Sequence, residues 1–280
     1  MKNILKENIN LLEEHPGFIS LKKLCLEKYA NRPLVVPIGY NEKDNVYMNL
    51  EKVHGLFVGG TTGSGKSVFL DSIIISLMLK NKPSDVKFLF LDPKKIELGE
   101  YDGINYINSK RKKSISNSKS GFNALINILS FMDKRIKELR NNNIKDIKQY
   151  NKIYNNRWPH IFIVIDESSQ LMQIDKAEEV ITKILDFGKP IGIHVLLATN
   201  SYLKRFYDTK FIKHFKYRMS FDMSSREQAD YIEIDGANLL KTNGNALIKC
   251  PNDEVYNIIS PFVSDKEIMR VVSKLGKKKD

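Results

Sequence analysis

Cysteine is scarce in this 280-residue chain, which has only two. Cys25 and Cys250 lie far apart, and no Cys or His stands beside either at the spacing of a metal-ligand set. Disulfide frameworks and structural zinc sites both need several such residues at short, regular spacings. The sequence therefore indicates neither kind of site, and it favours the reducing cytosol as the compartment.

Long apolar runs are also missing from the sequence. No stretch approaches the roughly 18 uninterrupted apolar residues that a membrane-spanning helix needs. The N-terminal residues MKNILKENINLLEEH carry acidic side chains where a secretory signal peptide would have its apolar core. We therefore expect a cytoplasmic protein without direct membrane insertion, so any association with a membrane would depend on a partner.

Positive charge, by contrast, is abundant. The formal net charge is +12, and such a balance favours an acidic partner, most often nucleic acid. The chain is also rich in Lys, Asn and Ile, as AT-rich coding sequence would make it. The positive charge therefore reflects either binding to nucleic acid or only this composition, and both interpretations stay open. With 42% hydrophobic and 28% charged residues, we expect a folded protein with one main domain.

Short apolar runs alternate with helical patterns from about residue 34 onward. The runs cover residues 55–58, 86–91, 161–165 and 194–198. This alternation predicts an α/β fold in which helices flank both faces of a mostly parallel sheet. Apolar residues from Phe122 to Leu139 recur at spacings of three and four, which predicts a helix whose apolar stripe faces the core.

Residues 1–33 precede this pattern and read as a short N-terminal helical segment. Two amphipathic stretches, split by Pro16-Gly17, compose it. They pack against the main domain in one interpretation and against a neighbouring subunit in the other. We expect the main domain to cover residues 34–270 and a basic C-terminal tail to cover residues 271–280.

The strongest motif is GTTGSGKS at residues 60–67, which fits G-x-x-x-x-G-K-[ST] and stands between an apolar strand and a helical run. Its glycines let the backbone N–H groups point at phosphate oxygens, and the following helix adds its positive end. We expect Lys66 to bind the β- and γ-phosphates of ATP and the Ser67 hydroxyl to ligate Mg²⁺. The expected nucleotide-binding residues are Gly60, Thr61, Thr62, Gly63, Ser64, Gly65, Lys66 and Ser67.

Acidic residues follow the apolar run HIFIVI. We expect Asp166 to hold Mg²⁺ through water and Glu167 to orient and deprotonate the attacking water. Asp-Glu after an apolar run is common by itself, and its pairing with an upstream phosphate loop makes it specific. The run GIHVLLAT ends before Asn200, which either senses the γ-phosphate or only ends the strand in a turn.

In this order, the motifs resemble the FtsK/SpoIIIE motor family. Further matches are D-P-K at Asp92 to Lys94 followed by E-L from Glu97, the segment GIHVLLAT, the serine pair at 224–225, and PFVSDKEI at 261–268. The resemblance runs from about residue 36 to residue 268. It implies a RecA-like P-loop ATPase that forms a hexameric ring, threads double-stranded DNA through it and uses ATP and Mg²⁺. By position, Asn200 replaces the family's usual Gln, and Lys94 would lie near the nucleotide or a neighbouring subunit.

Two departures from the family pattern affect catalysis between subunits. The family usually has Arg-Pro where this chain has Ser201-Tyr202, and an Arg where this chain has Asp230. Such motors need an arginine supplied by the next subunit. Arg226, one helical turn before Asp230, is the first candidate to replace it, and Arg218 is the second. Alternatively, Arg226 forms only an exposed ion pair with Asp230.

DNA recognition is the third point of departure, because full-length family members add upstream membrane helices and a downstream winged-helix module. Without them, we expect contacts with backbone phosphates and little base recognition. The run Lys110, Arg111, Lys112 and Lys113 is the candidate contact, and the alternative is a solvated loop.

These features predict an ATPase that DNA stimulates and that translocates double-stranded DNA as an oligomeric ring. The shortness of the chain favours a mobile element as the source of that DNA. One alternative is a secretion or conjugation ATPase of the same superfamily, which acts on a protein substrate. Another is a nucleotide-binding assembly module with little hydrolysis.

Overall fold

The computed structural model describes residues 4–26, 29, 31–94, 97–109, 112–155, 157–200, 203–241 and 243–276. At its centre is a nine-stranded sheet with the order β2-β1-β9-β8-β7-β3-β6-β5-β4. Its strands are β1 (Val35–Tyr40), β2 (Asn45–Asn49), β3 (Gly55–Gly59), β4 (Val86–Leu91), β5 (His160–Ile165), β6 (Ile193–Thr199), β7 (Tyr217–Ser220), β8 (Asn245–Lys249) and β9 (Val255–Ile259).

The strands β7, β3, β6, β5 and β4 run parallel to one another and form the half of the sheet that the sequence predicts. In their registers, Gly59 pairs with Thr199, and Leu91 pairs with Ile165. The carboxyl ends of these strands therefore meet at one edge of the sheet. In parallel α/β sheets this edge is where ligands bind.

The other half of the sheet, which the sequence did not predict, is antiparallel. β8 pairs with β7 and β9, and β1 pairs with β9 and β2. The sequence signal is weak here because four of the five β9 residues are exposed, so apolar and polar residues do not alternate along this strand. The fold is thus a parallel core of five strands extended by four antiparallel strands.

Ten helices cover the two faces in the described part of the chain. They are α1 (Ile4–Asn8), α2 (Leu21–Cys25), α3 (Lys66–Lys80), α4 (Ser118–Asn141), α5 (Ile147–Ile153), α6 (Ala177–Gly188), α7 (Leu203–Phe206), α8 (Thr209–His214), α9 (Arg226–Tyr231) and α10 (Asp265–Leu275). Alternate strand residues serve opposite faces, as the pleat of a strand requires. Phe162 and Leu196 face the core that includes α3 and α10, while Ile163 and Val195 face the core that includes α4 and α6.

Helix α4 contains the predicted helical stretch, but its buried stripe is offset from the predicted one. Leu125 and Met132 are buried as expected, whereas Ile126 is 39% exposed. Buried Arg135 lies in the same stripe and donates to the carbonyl oxygens of Ile191 and Pro159. A strictly apolar pattern does not include Arg135, because Arg is charged. The long side chain can nevertheless be buried, since its stem is apolar and its guanidinium donates to backbone carbonyls.

The N-terminal segment packs on the same core as α3 and α10, as one of the two interpretations predicted. Leu5 and Leu21 are buried in that core, and the carboxylate of Glu267 on α10 accepts a hydrogen bond from the Glu13 N–H. The predicted tail at 271–280 begins inside α10, where Val271 is buried. Residues 277–280 lie outside the described part of the chain. Among the residues that the structure describes, no helix is both long and apolar enough to cross a bilayer.

Candidate nucleotide-binding site

The phosphate loop connects the end of β3 to the start of α3. Gly60 and Gly65 both have left-handed backbone φ angles, of 152° and 115°. A Cβ at Gly60 would lie 2.8 Å from the Phe221 Cβ, and one at Gly65 would lie 3.1 Å from the Gly244 nitrogen. Only glycine satisfies both the backbone angle and the space at these two positions.

In this conformation the loop is closed on itself. The Ser64 hydroxyl and the Lys66 ammonium both donate to the Thr61 carbonyl, at 2.8 and 2.7 Å. The Thr61 N–H donates to the Asp222 carbonyl, which anchors the loop to the chain after β7. Burial lowers the pKa of Lys66, and the carboxylates of Asp166 and others nearby oppose this shift. A phosphate in the loop would give the buried ammonium a stronger partner than a carbonyl.

Asp166 follows β5, and its N–H donates to the Leu91 carbonyl at 3.0 Å, so it lies at the carboxyl edge of the sheet. Burial raises the pKa of Asp166 to about 7, and the carboxylates of Glu97, Asp92 and Glu167 add to the rise. Such a cluster of carboxylates is the environment in which a divalent cation is stabilising.

The oxygen ligands available at the carboxyl edge of the sheet suit Mg²⁺. This ion prefers oxygen ligands and keeps several waters, so one or two protein ligands beside a phosphate are enough for it. Ser67, in the first turn of α3, offers a hydroxyl, and Asp166 offers a carboxylate. Within the described ranges, no group of three or more His, Cys, Asp or Glu side chains could hold a metal by itself. Any Mg²⁺ here would therefore depend on water and nucleotide for its remaining ligands.

Glu167 is 5% exposed, and hydrogen bonds hold both of its carboxylate oxygens. The Ser169 hydroxyl donates to Oε1 at 2.6 Å, and the Asn200 N–H donates to Oε2 at 3.3 Å. The Lys94 ammonium lies 3.6 Å from Oε2. Spacing patterns did not identify Ser169, although a hydroxyl two residues after the Asp-Glu pair is a signal that could have done so.

Asn200 connects Glu167 to the phosphate loop. Its side-chain amide donates to the Thr62 hydroxyl at 3.1 Å, while its backbone N–H reaches Glu167. The structure therefore brings Lys66, Asp166, Glu167 and Asn200 to one edge of the sheet. The Asn200 side chain therefore contacts the phosphate loop, and its role as a γ-phosphate sensor stays a prediction.

The D-P-K turn places Lys94 in the site through Asp92. The buried Asp92 carboxylate accepts backbone N–H bonds from Lys94 at 3.2 Å, Glu97 at 3.1 Å and Leu98 at 3.0 Å. Asp92 is thus a turn-forming residue of the kind that Asp side chains favour. Residues 95 and 96, inside this turn, lie outside the described part of the chain.

Comparison with known proteins identifies the family. The FtsK/SpoIIIE family model matches residues 26–159. The DNA translocase SftA of Bacillus subtilis is 32% identical over 255 residues, which is 87% of this chain. The DNA translocase FtsK of Clostridium acetobutylicum is 31% identical over 243 residues, or 81% of this chain. This chain belongs to the FtsK/SpoIIIE family. It spans only 26% and 30% of the lengths of these two relatives.

Solved structures share the fold at lower sequence identity. The cytoplasmic domain of the Thermomonospora curvata type VII secretion ATPase EccC has a TM-score of 0.76 and 19% identity, over 99% of this chain and 34% of its own. The pCW3 conjugation coupling protein TcpA, solved with ATPγS, has a TM-score of 0.73 and 21% identity, over 95% and 74%. The predicted α/β P-loop ATPase fold is confirmed.

The two arginines proposed to replace the missing FtsK/SpoIIIE arginine differ in exposure. The Arg226 side chain is 77% exposed, and its Nε lies 3.9 Å from Asp230, which is the ion pair of the alternative interpretation. The Arg218 side chain is buried and donates to Glu233 at 2.9 Å. Neither contact involves the phosphate loop. Both arginines line one surface cavity of about 530 Å³, with Thr209, Lys213, Glu227, Asp230, Tyr231 and Glu233.

The candidate DNA-contacting loop lies beside the edge strand β4. Ile107 and Ile115, on either side of the basic run, form isolated parallel bridges with Phe88 and Leu91. Lys112 and Lys113 are exposed, whereas Lys110 and Arg111 lie outside the described residues. Ser201 and Tyr202, where the family usually has Arg-Pro, also lie outside them. The loop is therefore accessible at the residues that the structure describes.

Proposed function

We propose that this chain binds ATP with Mg²⁺ and hydrolyses it to translocate double-stranded DNA. The observation that carries this proposal is the convergence of Lys66, Asp166, Glu167 and Asn200 at one edge of the parallel sheet, beside a closed phosphate loop. Relatives of this family that are about a third identical are named DNA translocases. Because the chain spans less than a third of each of these two relatives, the activity is inferred from the site.

Nucleotide binding begins at the phosphate loop. The β- and γ-phosphates would take Lys66 away from the Thr61 carbonyl, because an ion pair with phosphate is stronger than a bond to a neutral carbonyl. Ser67 and Asp166 would hold Mg²⁺, which would neutralise negative charge on the phosphates. Backbone N–H groups of residues 60–65 and the N-terminal end of α3 would supply the remaining donors.

We assign Glu167 as the general base in ATP hydrolysis. The water oxygen forms a bond to the γ-phosphorus, the water proton goes to the Glu167 carboxylate, and ADP leaves with the electrons of the broken P–O bond. Asn200 contacts both Thr62 and Glu167, so a change in the loop on phosphate binding reaches the base through one residue. Lys66 stabilises the charge that builds on the transferring phosphoryl group.

Duplex DNA is the proposed substrate of the motor. The +12 net charge favours a polyanion, and contacts with backbone phosphates carry no sequence information, as a motor that moves along DNA requires. With long duplex DNA, we expect the steady-state ATPase rate to rise at least severalfold over the DNA-free rate. A rate that DNA leaves unchanged would favour the alternative, an ATPase acting on a protein, and no turnover in either condition would favour an assembly module.

Affinity for duplex DNA should fall steeply with salt, because each phosphate contact releases counterions and contributes a log-log slope of about 0.9. The double variant Lys112→Glu/Lys113→Glu should reduce that slope if the loop touches DNA. The matched control reverses two exposed lysines on α4, Lys134→Glu/Lys137→Glu, by the same total charge. Titrations of labelled duplex at several salt concentrations measure both slopes. Equal losses in the two variants would remove the loop from the DNA contact.

An oligomeric ring would supply a cation from one subunit to the nucleotide of the next, and Arg226 is our candidate because it is exposed at a cavity rim. Arg226→Ala should leave ATP affinity unchanged and lower DNA-stimulated turnover about a thousandfold or more. Adding excess Lys66→Ala chains should restore some activity, because a mixed interface joins an intact phosphate loop to an intact Arg226. Wild-type turnover in Arg226→Ala would transfer the role to Arg218, whose variant is the next test.

A further inference from the structure

The turn that carries Lys94 is fixed by a buried carboxylate. Asp92 is 1% exposed and accepts N–H bonds from Lys94, Glu97 and Leu98, so the backbone of Lys94 is anchored directly beyond the end of β4. β4 pairs with β5 through Leu91 and Ile165, which brings the chain after each strand together. The backbone of Lys94 is therefore held next to the residues that follow β5.

From that point the side chain of Lys94 reaches Glu167. Its ammonium lies 3.6 Å from Oε2, with 41% of the Lys94 side chain exposed and only 6% of the Glu167 side chain exposed. A carboxylate this deeply buried has lost its contacts with water, so it needs hydrogen-bond donors and cations of the protein in their place. Lys94 supplies positive charge to an oxygen that also accepts the Asn200 N–H.

The opposite oxygen of Glu167 is held as well. Ser169 donates to Oε1 at 2.6 Å, and the backbone of Glu167 itself has a left-handed φ of 50°, an uncommon angle for a non-glycine residue. Such a backbone conformation persists only where the surroundings determine it. Ser169 and Lys94 approach the carboxylate through different oxygens, and together they define its orientation.

We propose that Lys94 is a positioning residue for Glu167, holding its carboxylate oriented toward the attacking water, and that it is not a ligand of the nucleotide phosphates. This inference rests on the proposed function, in which Glu167 is the base. Lys94 forms and breaks no bond in the reaction. It acts through the carboxylate, so its removal should change the rate of the chemical step and leave nucleotide binding intact.

The decisive variant is Lys94→Met, which keeps the length of the aliphatic stem and removes the charge. We expect kcat to fall about ten- to hundredfold, the size of effect that misplacing a catalytic group produces. KM and the affinity for a fluorescent ATP analogue should stay within twofold of wild type. Lys94→Arg should restore most of kcat, because a guanidinium can also pair with the carboxylate.

The matched control is Lys183→Met, which removes another Lys–Glu ion pair on the exposed face of α6, with Glu179. It should leave kcat and ATP affinity unchanged, and thermal unfolding should show that both Met variants are folded. A combination with Glu167→Gln completes the test. If Lys94 acts only through the Glu167 carboxylate, Lys94→Met should lower turnover no further once that carboxylate is gone.

Each other outcome overturns the proposal in a recognisable way. Tenfold weaker binding of the ATP analogue to Lys94→Met, with or without Glu167→Gln, would make Lys94 a phosphate ligand. A wild-type kcat in Lys94→Met would show that the ion pair has no part in turnover. Near-normal turnover in Glu167→Gln alone would instead contradict the proposed function, because the carboxylate that Lys94 is said to position would not be the base.

Discussion

Replacing Glu167 by Gln should leave ATP binding nearly intact and lower ATP turnover at least about a hundredfold. Gln has the size of Glu and retains a carbonyl oxygen that can accept from Ser169, so the fold around the site should persist. An amide cannot take a proton from water at neutral pH, and it offers no charge to Lys94. Binding of a fluorescent ATP analogue and the steady-state release of phosphate measure the two effects separately.

The matched control for this substitution is Glu178→Gln, which also replaces a carboxylate that accepts a backbone N–H, here from Asp208. Glu178 lies in the first turn of α6 and is remote in sequence from the phosphate loop, so its variant should retain wild-type turnover. A Glu167→Gln variant that hydrolyses ATP at a near-normal rate would remove Glu167 from the mechanism. Weak ATP binding with normal folding would instead assign Glu167 to the binding of nucleotide and metal.

The convergence of the site was predictable from sequence because it depends on strand topology. Apolar runs before residues 60, 92, 166 and 200 indicate buried strands, and the carboxyl ends of parallel strands meet at one edge. Backbone registers that pair Gly59 with Thr199 and Leu91 with Ile165 then bring the following residues together. Nothing beyond the order and type of the elements is needed for that prediction.

Side-chain contacts within the site depend on geometry that no spacing rule supplies. Ser169 and Lys94 meet Glu167 because Glu167 adopts a left-handed backbone angle and Asp92 folds the D-P-K turn back toward it. A one-dimensional pattern contains neither the angle nor the turn closure. For the same reason, Arg226 and Arg218 could be predicted as candidates from the sequence, but their exposure could not. The Arg226 side chain is exposed and the Arg218 side chain is buried.

Replacing Lys66 by Ala should abolish turnover and weaken ATP affinity by about two orders of magnitude, because a charge-assisted bond to phosphate in a buried site is lost. The Thr61 carbonyl accepts from the Ser64 hydroxyl as well as from the Lys66 ammonium, so it keeps a donor when Lys66 is replaced. Thermal stability of the ATP-free protein should therefore change little. Wild-type protein should gain stability when ATP and Mg²⁺ are added, whereas the variant should not.

A second buried lysine on the same helix provides the control. Lys80, at the other end of α3, is 6% exposed against 7% for Lys66, and it donates to the Val35 carbonyl at 2.7 Å. Lys80→Ala should lower the unfolding temperature, because it leaves a buried carbonyl without this donor, while the folded protein still binds ATP. If Lys66→Ala behaves like Lys80→Ala, losing stability and keeping ATP affinity, then Lys66 is a structural lysine and the phosphate loop does not bind nucleotide as proposed.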